Sequence, residues 1–189
     1  MAELGLTRAF RRPGVFFIYG RPLSFKTAFS LWIASKVRGE KIYAAAGKHV
    51  LVDAPSGFDK VSLYRLRDAV KFSLTVMGDA PEALVLDGVE ALLAPLRGVS
   101  RSRVQLQFLL LLFSPLVQAS RQGCRCYVTV EGGEKPRFYS VLRRLATFFA
   151  RTYVEEEEVR VELRDKDLRV LKRYLVSADV LSGVYGDSG

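Results

Sequence analysis

Asparagine does not occur in this 189-residue sequence, and glutamine occurs only at 105, 107, 118 and 122. Scarcity of deamidation-prone residues beside abundant Arg and Glu fits a hyperthermophile, although compositional bias in a source genome would give the same pattern. There is one histidine, His49, and there are two cysteines, Cys124 and Cys126. Too few Cys and His remain for a zinc centre built from those two cysteines. The C-x-C pair abuts the apolar run Tyr127-Val-Thr-Val130 and reads as two reduced thiols on one face of a strand. No apolar run approaches the roughly 20 residues of a membrane span. The longest, Val104 to Val117, is interrupted by Gln105, Gln107 and Pro115. The start, MAELGLTRAFRRPG, holds no apolar stretch of signal-peptide length. The expectation is a cytoplasmic protein with no membrane partner.

What is present is a chain that is 49% hydrophobic, enough for one sizeable core. We expect a basic, loosely ordered lead-in over 1–13, one domain over 14–178, and a tail over 179–189. Lys and Arg total 29 against 20 Asp and Glu, a formal net charge of +9. A surface this basic favours a polyanionic partner, nucleic acid first. A solubility surface, or a face complementary to an acidic protein, is the alternative.

Val15 to Tyr19 reads as a buried parallel strand, followed by a helix over 24–38 with Phe29, Trp32 and Ile33 on one face. Short strands follow at 41–46 and 49–52, a turn at 55–57, and a helix over 60–77. Ala83-Leu-Val-Leu-Asp87 is a second buried strand, and Arg97 to Arg103 a basic loop. A long helix over 104–122, bent near Pro115, precedes a third core strand over 124–130. After the loop Gly132-Gly-Glu-Lys-Pro-Arg137 comes a helix over 138–150. Two alternating strands, 151–163 and 168–176, form a terminal antiparallel hairpin. In it the run Glu155 to Glu158 is an outward, edge-protecting charge. Strands alternating with helices give an α/β fold with a mostly parallel central sheet flanked by helices. Ligands of such sheets bind at the carboxyl ends of the strands, where Gly20–Thr27, Asp53, Asp87 and Glu131 would lie.

Gly20-Arg-Pro-Leu-Ser-Phe-Lys-Thr27 sits between strand and helix, the setting of the phosphate loop G-x-x-x-x-G-K-[ST]. Gly20, Lys26 and Thr27 fit that pattern. Phe25 stands where the second glycine belongs. In such a loop backbone N–H groups cradle phosphate at a helix N-terminus, the lysine neutralises it, and the hydroxyl binds Mg²⁺. Asp87, closing an apolar strand, is placed to be the magnesium-side carboxylate. Read as surface residues alone, Lys26 would be solvated and Asp87 would cap a turn with Gly88.

The order of elements and these residues resemble the ATPase core of the RecA/RadA recombinase superfamily, in particular its short archaeal RadB-like paralogues. The loop of that family is close to G-E-P-G-S-G-K-T, which Gly20, Pro22, Ser24, Lys26 and Thr27 match. The resemblance spans about Gly14 to Val176. It implies a RecA-like P-loop NTPase core and a nucleotide site of Gly20, Ser24, Lys26, Thr27 and Asp87. ATP would bind with Mg²⁺ held by Thr27 and Asp87.

Three departures bear on activity. Leu23 and Phe25 replace the two inner glycines, and both side chains resist positive φ and crowd the phosphate path. The family carries an acidic base in a D-T-E-like stretch. Here it is Asp53-Ala-Pro55, with Pro55 on the acid. Where the family has T-N-Q, this chain has Thr129-Val-Glu131, and a glutamate there repels a γ-phosphate. These losses lead us to expect no catalytic residues and, at most, weak ATP binding.

The family's two DNA-contacting loops follow the strands that carry Asp87 and Thr129. Here the first holds Arg97, Arg101 and Arg103. The second holds Lys135 and Arg137, followed by Phe138, Tyr139, Arg143 and Arg144. Arginines neutralise phosphates, and an aromatic ring offers a stacking face for a single-stranded base. Phe138 also suits the first core position of a helix. Arg11-Arg12 is a further basic pair, on what reads as a flexible arm. The expected role is a non-catalytic accessory in homologous recombination or DNA repair. It would bind DNA, single-stranded in preference, or a RecA/RadA-type recombinase or another accessory protein. Two other roles fit: an active ATPase with an atypical loop, using Asp53 or Glu131 as base, and a structural partner subunit without DNA contact.

Overall fold

A computed structural model describes residues 2–47, 55–94, 102–156 and 158–185; for residues 2–4, 102, 103 and 185 it describes the backbone alone. The elements are α1 (Ala2–Phe10), β1 (Gly14–Gly20), α2 (Lys26–Ser35), β2 (Lys41–Ala46), β3 (Asp59–Leu63), α3 (Leu66–Gly78), β4 (Ala83–Asp87), α4 (Val89–Leu93), α5 (Ser102–Arg121), β5 (Arg125–Glu131), α6 (Tyr139–Leu145), β6 (Phe148–Glu155), β7 (Glu158–Arg164), β8 (Val170–Ser177) and α7 (Ala178–Ser182).

One 8-stranded sheet runs β3-β2-β4-β5-β1-β6-β7-β8. The pairs from β3 through β6 are parallel, while β6–β7 and β7–β8 are antiparallel. The fold is therefore the expected α/β architecture, a mostly parallel sheet ending in antiparallel strands. β1 is fully buried along its length, which is why its sequence is a continuous apolar run instead of an alternation. Its odd residues, Val15, Phe17 and Tyr19, face a cluster built with α3, α4, α5 and α6. Its even residues, Phe16 and Ile18, face one built with α1, α2 and α7. On that side the Phe16 and Tyr127 rings stack at 5.5 Å and Phe10 meets Phe29 edge-on at 5.7 Å. Such pairs add about 0.5–1.5 kcal/mol each beyond burial.

Several elements differ from the sequence expectation. The lead-in forms α1, with Leu6 and Phe10 buried and the Phe10 carbonyl accepting the Tyr127 hydroxyl at 3.0 Å. The helix expected over 60–77 begins only at Leu66. Residues before it form β3, an edge strand whose burial alternates at its C-terminal end. Val61 and Leu63 fit a two-residue period as well as a helical stripe. The helix expected over 138–150 stops at Leu145, and Phe148 onward joins β1 in parallel register. The strand expected over 151–163 is two antiparallel strands, β6 ending at Glu155 and β7 beginning at Glu158, so the chain reverses between them. Residues 178–182, expected partly as tail, cap the sheet as α7, with Leu181 buried. Cys124 and Cys126 are buried and free, their sulfurs 3.6 Å apart. The strand expected over 49–52 lies outside the described residues, as does His49.

Candidate phosphate-loop site

The parallel order places the ends of β4, β5 and β1 side by side. Asp87, Glu131 and Gly20 therefore share one edge of the sheet. The chain leaves β1 at Gly20, where an added Cβ would overlap the Ser24 hydroxyl and the Thr152 carbonyl. Only glycine fits there. Ser24 is buried, and its Oγ hydrogen-bonds Thr152 Oγ1 at 3.1 Å. That bond ties the loop to β6.

Leu23 and Phe25 take φ of 61° and 59°. This corrects the expectation that they resist positive φ: both adopt the left-handed conformation that glycine supplies in a phosphate loop. Each does so at a cost of about 1–2 kcal/mol. The loop tolerates them because of where the side chains go. Leu23 is 93% exposed. Phe25 packs against the cluster that contains Phe16, Ile18 and Phe29. Phe25 is also the N-cap of α2, and no side chain caps that end. The first N–H groups of α2 thus lack a side-chain cap, as a phosphate cradle requires.

Lys26 folds back over the loop. Its Nζ donates to the Arg21 carbonyl at 2.7 Å and the Gly20 carbonyl at 3.2 Å. Burial lowers its pKa, and the charges of Glu90, Asp87 and Glu131 oppose that shift. Thr27 Oγ1 lies 3.0 Å from each Asp87 carboxylate oxygen. Asp87 also accepts from the Tyr43 hydroxyl at 3.3 Å and from Thr129 Oγ1. Thr129 in turn accepts the Gly88 N–H at 3.1 Å. The sequence did not single out Tyr43, and it gave Thr129 no bond to Asp87.

Glu90 is the residue that sequence reasoning missed. It lies on the first turn of α4, buried, and its carboxylate accepts the Glu131 backbone N–H. Burial pushes its pKa up, which the Glu131 hydrogen bond and the Lys26 charge partly offset. Its signal was an acid in the apolar stretch Val89-Glu-Ala-Leu-Leu93, three residues after Asp87. Glu131 itself is exposed and pairs with Arg137 at 3.4 Å.

The structure thus brings Gly20, Ser24, Lys26, Thr27 and Asp87 together. The basic candidates are dispersed. Lys135 and Arg137 join Arg21, Gly132 and Gly133 around an open cleft of about 350 Å³ beside the phosphate loop. Arg143 pairs with Asp167 at 2.5 Å, at the β7–β8 turn. Arg144 lines a separate groove with Leu106 and Phe138. Arg97, Arg101 and Asp53 lie outside the described residues, and only the backbone of Arg103 is described. Phe138 is partly buried, packs on the core and takes φ of 59° as the N-cap of α6.

The donor set fits a nucleotide phosphate with Mg²⁺: an uncapped helix end and a loop lysine for the phosphate, a hydroxyl and a carboxylate for the cation. Glu90 and Glu131 add negative charge to the same edge and oppose an anion there. Among the described residues no cluster of three His, Cys, Asp or Glu is placed to hold a metal by itself, and no helix is long and apolar enough to cross a membrane.

No family model matches the chain, and no curated protein matches it. Among solved structures it is similar to a KaiC-like protein from the hyperthermophilic archaeon Pyrococcus horikoshii OT3. The TM-score is 0.60 at 15% identity, over 87% of this chain and 85% of that one. At that identity the likeness is one of fold. The fold is RecA-like.

Proposed function

We propose that this chain is a non-hydrolysing RecA-like accessory protein of homologous recombination or DNA repair, related to the short RadB-like paralogues. It binds ATP weakly, with Mg²⁺, and acts through binding, contacting single-stranded DNA in the cytoplasm. The observation that carries the nucleotide half is the convergence of Lys26, Thr27 and Asp87 on a loop that keeps positive φ without its glycines. Gly20, Ser24 and Lys26 would hold the phosphates, and Thr27 and Asp87 the Mg²⁺. The cation would neutralise phosphate charge that Asp87, Glu90 and Glu131 otherwise oppose, so binding without it should be much weaker. Glu131, where the family has a glutamine, and Pro55, where it has an acid, support the absence of hydrolysis. Arg21, Lys135 and Arg137 around the adjoining cleft support a phosphate-backbone contact.

The test measures ATP turnover and equilibrium binding of labelled ATP, with and without Mg²⁺, on wild type and Lys26→Ala. Expected are no turnover and Mg²⁺-dependent binding that Lys26→Ala abolishes. Turnover near one per second, in the range of ordinary enzymes, lost in Lys26→Ala, would make the protein an active ATPase instead. An absence of ATP binding under all conditions would remove the nucleotide half of the proposal, and an absence of salt-dependent DNA binding would leave the structural-subunit role.

A further inference from the structure

We infer that the groove between α5 and α6 is a docking site for an amphipathic helix of a partner protein, apolar on one face and flanked by carboxylates. This inference does not depend on nucleotide or DNA binding.

The groove has a volume of about 470 Å³, within the usual range for ligand sites. Its floor is Leu109 and Val141, both buried. Its walls are Leu106, Leu110 and Phe138. Leu106 and Leu110 stand one turn apart on α5, and each keeps more than a third of its surface in water, 38% and 37%. Scattered exposed leucines need no explanation, but two that wall one apolar cleft with a third on its floor do. Helix–helix clefts receive a third helix through apolar anchors at i and i+4 spacing.

Charge selects the occupant. Arg144 lines the groove and is exposed, with no partner among the described residues. The Arg137 guanidinium lies 5.9 Å over the Phe138 ring but does not line the groove, and it pairs with Glu131 at 3.4 Å. No carboxylate lines this groove among the described residues. Leu106, Leu110 and Phe138 suit apolar side chains, and Arg144, exposed beside them, calls for a carboxylate carried on an apolar scaffold. The net charge of +9 strengthens attraction for an acidic partner and against a basic one. A second copy of this basic chain is the less fitting occupant for the same reason.

The experiment uses the full chain and a fluorescein-labelled helical peptide of roughly 18 residues, long enough to hold a helix. Leucines stand at four-residue spacing with glutamates beside them. A second peptide carries lysines in place of the glutamates. At low salt the acidic peptide should bind about tenfold more tightly or better than the basic one. Leu106→Glu with Leu110→Glu should weaken it at least about tenfold. Arg144→Glu should reverse the preference, a gain that misfolding cannot produce. Equal binding of both peptides, or binding of neither, overturns the inference. So does displacement of the acidic peptide by an oligothymidylate with the same sensitivity to Leu106 and Leu110, which would give the groove to nucleic acid. A wild-type dimer that the leucine pair dissociates, without effect on peptide binding, would give it to a second copy.

Discussion

The Thr27 hydroxyl lies 3.0 Å from both carboxylate oxygens of Asp87. It thus joins the first turn of α2 to the end of β4. Tyr43 and Thr129 donate to the same carboxylate, so Asp87 gathers hydroxyls from three other elements into one buried point.

Asp87→Ala should therefore destabilise the protein by about 2–4 kcal/mol, since each buried donor left unpaired costs about 1–3 kcal/mol and some will reach water. For a chain of this size the melting temperature should fall by about 5–15 °C. Tyr43→Phe, which removes one long bond, should cost less than about 1 kcal/mol. Thermal unfolding of both variants checks the order. Equal losses would mean that the carboxylate is not the hub.

Leu23 and Phe25 share a backbone conformation but not a burial, so glycine at each should act in opposite directions. Leu23→Gly removes left-handed strain from an exposed side chain and should stabilise by about 0.5–1 kcal/mol. Phe25→Gly removes the same strain but also the packing against the core cluster, and should destabilise by about 1–2 kcal/mol. Melting curves decide it, and a destabilising Leu23→Gly would show that the side chain holds the loop.

The acid dependence of stability should report Glu90. Its folded pKa is raised by burial. A raised carboxyl contributes stability that is present below the unfolded value, about 4.3, and is lost as pH climbs through the folded value. Its charged neighbours are Lys26 and Glu131. Glu90→Gln keeps an oxygen for the Glu131 N–H and removes the buried charge. The variant should gain on wild type as pH rises from about 4 towards 7. Parallel melting-temperature curves across that range would refute the assignment.

If Arg21, Lys135 and Arg137 meet a DNA backbone, affinity should be nearly independent of sequence. It should fall linearly on a log–log salt plot, by about 0.7 per phosphate neutralised on a single strand. Alanine at all three should flatten the slope by about two units. Alanine at Arg169, Lys172 and Arg173 should change it little. Those residues lie at β8 on the far edge of the sheet, where Arg173 is held by Glu162 at 3.0 Å. An unchanged slope in the first variant, or no binding at low salt, would remove DNA from the proposed role.

The sequence was readable where burial is two-sided. Val15–Tyr19, Ala83–Asp87 and Tyr127–Val130 are unbroken apolar runs because helices cover both faces, and they located the site edge. It misled where one residue pattern serves two structures. Val61 and Leu63 satisfy either period, and the Glu155–Glu158 run conceals a reversal in a charged stretch. α1 was hidden because Leu6 and Phe10, its buried anchors, sit among Arg8, Arg11 and Arg12. Within the site, Gly20, Lys26, Thr27 and Asp87 could be matched to a pattern. Glu90 could not, because its role depends on a backbone N–H supplied from β5. The conformation of Leu23 and Phe25 was misjudged because local preference was outweighed by a loop anchored at Gly20, Ser24 and α2.

The position of β1 has a consequence for biosynthesis. It is the strand between β5 and β6, yet it leaves the ribosome first of the three. Val15 to Tyr19 pairs with nothing until residues 125 to 131 have emerged, which at ordinary elongation rates takes on the order of 5–20 s. For that interval an unbroken apolar strand is an open template for other nascent chains. Its safe passage depends on whatever shields it before its neighbours arrive.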